Sequence, residues 1–316
     1  MIDFRYHLVS IVAIFLSLAI GLVLGASFLQ DTLSKSLKAS NVALAKEKDS
    51  LRKEKSALST QVNGEEQFAA TLTPQIVGTR LKDQSVVFIM TPGGSDKIYK
   101  QLNDLVRASG GHVTGEVTVQ QKYFGADQSV LDALAGQYAT SVQGASTGSV
   151  YDRAGAVLAS ALVTDQASKT GRDQPASTVI LSAFTGQGFI TTSGQPGTLA
   201  TLAIVIAPST PDLADTAGLG NKALISLAGS MANAGRGTVV TGPLESAQDP
   251  GLLSALRNDA VSNHVSTVDT ADFSSGQVVV VLALQAEMAG KSGKYGVADG
   301  DNGYLPSPIP AVSGAK

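Results

Sequence analysis

Val86-Val87-Phe88-Ile89-Met90-Thr91-Pro92-Gly93-Gly94-Ser95 is the stretch from which the architecture is read. Its five leading apolar residues form a strand, since three of them are β-branched and the run is too short for a helix. The Thr-Pro-Gly-Gly-Ser segment breaks the chain direction, and Ser95 then stands where a helix cap belongs. From about Asp96 to Ser109 the apolar residues Ile98, Leu102, Leu105 and Val106 fall at helical spacing, and Gly110-Gly111 ends the helix. A strand, a tight turn and an amphipathic helix make the first half of a βαβ unit.

Downstream the same alternation repeats. Strands are expected near Val113 to Val119, Thr178 to Ala183, Leu202 to Ala207, Thr238 to Thr241 and Val265 to Val268. Helices are expected near Ser129 to Tyr138, Asp152 to Val163, Asn221 to Ala234 and Pro250 to Asp259. The run Gln277 to Ala289 contains β-branched Val278 to Val281, but its length and the following Leu282-Ala283-Leu284-Gln285-Ala286-Glu287-Met288 favour a closing helix. Gly136 to Ser149, Asp165 to Ser177 and Gly186 to Thr198 read as loops, and the tail after Asp299, with Pro306, Pro308 and Pro310, reads as disordered. The fold class is therefore α/β, a mostly parallel sheet flanked by helices.

Upstream the chain changes character. From Leu8 to Leu29, about 22 residues carry no formal charge, enough at about 1.5 Å of rise per residue to cross a hydrocarbon core of about 30 Å. The rival reading is a cleaved signal peptide, with Arg5 as the basic flank and Gly25-Ala26-Ser27 as the small-residue site; the apolar run is longer than such signals carry. Gly21 and Gly25 make a small-xxx-small face on which two such helices can meet. Leu37, Leu44, Leu51 and Leu58 then recur every seven residues, with Leu33 and Val62 extending the row. The other core position of each heptad is Ser40, Glu47 or Glu54, so the seam is one leucine wide, and a parallel homodimer held there needs help from the membrane helices. The expected layout is a short cytoplasmic tail at 1–7, a transmembrane helix at 8–29, a coiled-coil stalk at 30–73 closed by Pro74, an extracytoplasmic α/β domain at 74–298, and a Pro-containing tail at 299–316.

Composition narrows the function. Net charge is −3 and charged residues are 16%, so no basic field draws in nucleic acid. Cysteine is absent, which removes disulfides, thiolate metal sites and cysteine nucleophiles. No Gly-x-Ser-x-Gly elbow follows a strand, and the histidines are three: His7, His112 and His264. The carboxylates, such as Asp212, Asp215, Glu245 and Asp249, are scattered singly. The Pro92-Gly93-Gly94-Ser95 turn could cradle an anion, but it lacks the patterns of phosphate loops, and βα turns need such residues for capping in any case. No catalytic residue or bound cofactor is expected. A copper site would have to draw on the three histidines and on Met1, Met90, Met231 and Met288, no two of which lie at ligand spacing.

The opening Met1-Ile2-Asp3-Phe4-Arg5-Tyr6-His7-Leu8-Val9-Ser10, running on to Gly21-Leu22-Val23-Leu24-Gly25, resembles the MctB family of actinobacterial envelope proteins, described as copper transport outer membrane proteins. The likeness extends through the leucine row, the Val-Val-Phe-Ile strand, and Val278 to Leu284 followed by Ser292-Gly293-Lys294-Tyr295-Gly296, so it covers essentially the whole chain. The resemblance implies copper transport, efflux or homeostasis at the envelope, with copper as cargo and no ligand residues that carry over to this sequence. The family is also similar to SteB, a membrane receptor for the partner SteA in cell separation. That likeness implies a dimeric scaffold for division and peptidoglycan hydrolase control.

Overall fold

A computed structural model describes the backbone of residues 4–125, 128–142, 145–209 and 218–310, and the side chains of these except 4–5 and 26–36. The chain divides into two compact units, Met1–Glu65 and Glu66–Lys316. The first unit is helical throughout its described length and belongs to α1 (Phe4–Val77). Within it Tyr6–Gly25 is long and apolar enough to cross a membrane. Its apolar side chains, among them Ile14, Phe15 and Leu22, are exposed, as lipid-facing residues are.

The second unit begins with the last turns of α1. Pro74, expected to close the stalk, instead sits inside the final turn, and the helix runs on to Val77. Gly78 ends it in the left-handed region at φ +46°, its N–H donating to the Pro74 carbonyl at 3.1 Å. The order is then β1 (Ser85–Met90), α2 (Asp96–Ala108), β2 (His112–Val119), α3 (Ser129–Ala139), α4 (Val150–Leu162), α5 (Pro175–Gly186), β3 (Ile190–Gly194) and β4 (Leu202–Ile206). It continues with α6 (Leu219–Ala234), β5 (Gly237–Thr241), α7 (Leu252–Arg257), β6 (Ser266–Val268), α8 (Ser274–Met288) and β7 (Lys294–Tyr295).

These strands form one sheet in the order β3-β2-β1-β4-β5-β6-β7. Every neighbouring pair is parallel except β2 and β3. The period of two decides which layer each residue joins. Val87 and Ile89 face a core built with α3 to α7, while Val86, Phe88 and Met90 face a second core built with α2, α8 and the end of α1. With both faces covered, β1 and β4 are buried at every position. The closing helix expected over Gln277 to Ala289 is α8, buried along nearly its whole length.

Two segments differ from the sequence reading. Thr178 to Ala183, expected as a strand, is the middle of α5: Pro175 opens a helix, and Ser177, Ile180, Leu181 and Phe184 are buried at helical spacing. The strand of that region lies instead within the expected loop at 186–198. It escapes a hydrophobic search because only Ile190 of β3 is buried and the other four residues are exposed.

The tail also differs in its described part, 299–310. Asn302 donates its N–H to the Lys294 carbonyl at 2.7 Å, and its side-chain oxygen accepts from the Lys294 N–H at 2.8 Å. Gly296 donates to the Gly303 carbonyl, and Arg80 reaches the Pro310 carbonyl. The segment thereby folds back over β7 and covers that edge of the sheet. Residues 311–316 lie outside the described residues.

Candidate functional site

In an open α/β sheet the ligand crevice forms where the strand order reverses, outside the carboxyl ends of the strands. Here that point lies between β1 and β4, since the chain passes from β1 to β2 on one side and later to β4 on the other. The Thr91–Ser95 turn occupies it. Thr91 binds the Ile206 carbonyl through its hydroxyl at 2.7 Å and its N–H at 3.3 Å, and Gly94 donates to the Thr91 carbonyl at 2.9 Å. Ser209 donates to the Gly93 carbonyl, and the Ser95 hydroxyl caps α2 by accepting from Ile98. A Cβ on Gly94 would stand 3.1 and 3.2 Å from the Thr91 and Ile206 carbonyl oxygens, so a side chain there would have to push this backbone apart by a few tenths of an ångström. The turn spends its groups on tying β1 to β4.

At the same end of the sheet, Asp272 follows β6 within electrostatic range of Glu245, Lys97 and Glu66, and burial, aided by both glutamates, pushes its carboxyl pKa up. Glu66 itself accepts from the N–H and hydroxyl of Ser274, satisfying the first turn of α8. Elsewhere a groove of about 1100 Å³ runs along α4 and α6, lined by Ser160, Lys169, Lys222 and Ser230 among others. Asp152 borders it with its carboxylate committed: burial raises its pKa, but hydrogen bonds from Ser226 and Ser149 outweigh that and hold the group below the usual range.

The buried charges have structural roles. Arg257 donates to Thr267 at 2.9 Å, to Asp269 at 3.0 Å and to the Tyr295 carbonyl at 3.2 Å, and pairs with Asp301 at 2.9 Å. Asp269 also accepts from the N–H groups of Val297 and Ala298. Two carboxylates thus share one guanidinium, and burial with the neighbouring Asp269 leaves Asp301 at a pKa of about 6 despite the cation. Glu287, on α8, is buried against Ser266, and desolvation lifts its pKa to about 7 even though the Ser266 and Ser292 hydroxyls bind the carboxylate. Sequence reading missed all of these. Asp301 lies in the tail taken for disordered, and a buried carboxylate looks like any other in a sequence.

The residues singled out from the sequence stay apart. Gly21 and Gly25 lie one turn apart on α1, with nothing within 4 Å of a Cβ built on either. Leu37, Leu44, Leu51 and Leu58 are 61, 61, 58 and 55% exposed, so this row of apolar side chains finds no cover within its own chain. Leu33 lies outside the described side chains, and Met1, Asp212 and Asp215 lie outside the described residues. His7 is in the first unit, while His112 opens β2 and His264 precedes β6. Four strand spacings of about 4.8 Å put roughly 19 Å between β2 and β6, too far for one ion. Met90 and Met231 are core residues, and Met288 packs against the core. No group of three or more His, Cys, Asp or Glu that could hold a metal occurs among the described residues.

Comparison with known proteins supplies what the geometry does not. Residues 1–306 match the family described as Copper transport outer membrane protein, MctB. The chain belongs to the MctB family. A relative named Copper transporter MctB, from Mycobacterium tuberculosis (strain H37Rv), is 32% identical over 313 residues, covering 95% of this chain and 98% of the relative. The protein of the same name from Mycobacterium leprae is 31% identical over 338 residues, with the same coverage. Membership spanning the apolar helix and the α/β unit together, with a helix of membrane-crossing length, places this MctB family member in association with a membrane.

Proposed function

We propose that this protein serves copper transport and copper homeostasis at the cell envelope. It would work as a single-span, membrane-anchored component with its α/β domain outside the cytoplasm and no catalytic centre of its own. The observation that carries this reading is similarity along the whole chain to relatives named Copper transporter MctB. A lone helix cannot enclose a pore, so movement of the ion would depend on self-association of the span or on a partner. The dispersed histidines and the buried methionines favour the same view. The test is deletion of the gene followed by measurement of cell-associated copper in copper-supplemented medium. Copper should rise in the deletion strain and return to the parental level on complementation. Unchanged copper overturns the proposal.

One observation favours a second reading, a dimeric scaffold or receptor for cell division and cell separation with a partner resembling SteA. The leucine row stays exposed on its own chain, as a seam for pairing two copies would, and a paired stalk is the feature that the dimeric-receptor reading requires. That reading expects septation defects in the same deletion strain and recovery of a division partner by cross-linked pull-down from membranes. Normal septation with no recovered partner defeats it.

A further inference from the structure

The two edges of the sheet are finished differently. The β7 strand is two residues long and lies under the 296–303 turn, whereas β3 is five residues long and its residues Thr191 to Gly194 are exposed. Hydrogen bonds at the two ends of the β2–β3 ladder fix which way each residue of β3 faces. Gln120 donates to the Phe189 carbonyl at 2.9 Å, and Gln195 donates to the Thr114 carbonyl at 2.8 Å. Residues 189 and 195 therefore face β2, and by the alternation of an antiparallel pair so do Thr191 and Ser193. Ile190, Thr192 and Gly194 turn their N–H and C=O groups outward, where they have no partner among the described residues.

Among the described residues, β3 itself carries little that discourages pairing; Lys122 lies in space just before its amino end, donating to the Gln187 carbonyl, and Gly194 at its other end has φ +73°. The strand has no Lys, no Pro, no bulge and no charge turned inward, the usual means by which proteins blunt an open strand. Beside it lies a cavity of about 500 Å³ bounded by Leu181, Ser182 and Thr185 of α5, by Thr192, and by the 195–198 turn. A strand laid along β3 would point alternate side chains into this cavity, which is the geometry of strand addition beside a helix. The cavity lining is neutral apart from Asp173. Asp173 precedes α5, and the start of α5 lies at the carboxyl end of β3, since a Cβ on Gly197 would stand 3.7 Å from Ser177 and from Thr178.

We infer that the open β3 edge and the adjoining α5 cavity bind an extended, otherwise uncharged segment of a partner protein, which adds antiparallel to β3 with a basic residue near its amino end facing Asp173. The main-chain groups select an extended backbone, the cavity takes small or β-branched side chains, and Asp173 sets the direction. A second copy of β3 is the poorer fit, because Ile190-Thr191-Thr192-Ser193-Gly194 brings no cation to Asp173.

The test uses the full chain in detergent micelles and the peptide Arg-Thr-Val-Thr-Val-Thr with a fluorescein at its carboxyl end, read by anisotropy. The unmodified chain should show saturable binding. Thr192→Pro removes one outward donor and leaves the β2 ladder intact, since proline is tolerated on an edge whose N–H faces solvent; it should weaken binding at least tenfold. Thr192→Lys, which keeps the strand conformation, should do the same, and circular dichroism identifies any loss of fold. Asp173→Asn should weaken binding about threefold at low salt and less at high salt. Equal binding by both Thr192 variants, equal binding of a peptide N-methylated at alternate residues, or no saturable binding by the unmodified chain each overturns the inference. So does self-association of the chain that both Thr192 variants abolish while the peptide fails to bind, since a second copy would then be the occupant.

Discussion

Glu287→Gln should stabilise the α/β domain at alkaline pH and, because its hydrogen bonds are imperfectly replaced, cost about 1 kcal/mol at acid pH where no ionisation offsets that loss. Glu287 is 8% exposed, and its carboxyl pKa rises from an ordinary 4.5 to about 7 because burial strips water from the charged form. A carboxylate whose folded-state value lies above its unfolded one makes the folded protein bind the proton more tightly. Below 4.5 both states are protonated and no difference arises. Between 4.5 and 7 the unfolded chain gives up the proton first, so stability falls as pH rises, and above 7 the loss is complete. The separation between 4.5 and about 7 corresponds to about 3 kcal/mol. Glutamine keeps an acceptor for Ser266 and never ionises, so after imperfect replacement of the hydrogen bonds the variant should gain about 2 kcal/mol at pH 8. Urea unfolding of the full chain in detergent, followed by far-ultraviolet circular dichroism at pH 5 and pH 8, measures this. Asp301, also shifted upward, tilts the wild type and the variant alike, so the quantity read is the difference between them at each pH. A variant-minus-wild-type difference equal at the two pH values would refute the assignment of an ionising carboxylate to this site.

Arg257→Ala strands Asp269 and Asp301 without a cation and should cost about 3–5 kcal/mol in the same denaturation assay at pH 8, with a smaller loss at pH 5 where Asp301 takes up a proton. Tyr123 is fully buried and its hydroxyl finds no partner among the described residues, so Tyr123→Phe should be neutral or stabilising by about 1 kcal/mol, read as an unchanged or higher urea midpoint. If the exposed leucine row is a dimer seam, Leu44→Lys together with Leu51→Lys should abolish cross-linking between copies in membranes. The circular dichroism of the α/β domain should stay unchanged.

The fold was legible wherever a segment buries a continuous apolar face. The Val86–Met90 strand, the amphipathic helix after it and the closing helix α8 follow from their spacing, because β1 is covered on both faces and α8 on nearly all sides. Reading failed where burial and local preference part company. Thr178-Val179-Ile180 carries β-branched residues that suggest a strand, yet Pro175 and the spacing from Ser177 to Phe184 commit it to a helix. The β3 edge is nearly all polar, so its conformation is set by pairing with β2 and leaves no apolar pattern. The 299–310 segment is held by Lys294 close by in sequence and by Arg257 and Arg80, both of which reach it across a long sequence separation that composition does not reveal. Of the candidate site, the sparse histidines and the lack of cysteine are in the composition, whereas the pairing of Arg257 with two aspartates exists only after folding.

One side of the sheet is sealed by the returning segment over β7, and the other, among the described residues, ends in bare backbone at β3. A ribbon with a single open margin accepts one further strand and then has nowhere to grow, unless the newcomer brings a free margin of its own. Two copies meeting there would close on each other as a pair, and among the described residues the sheet offers no second margin from which a fibre could run on.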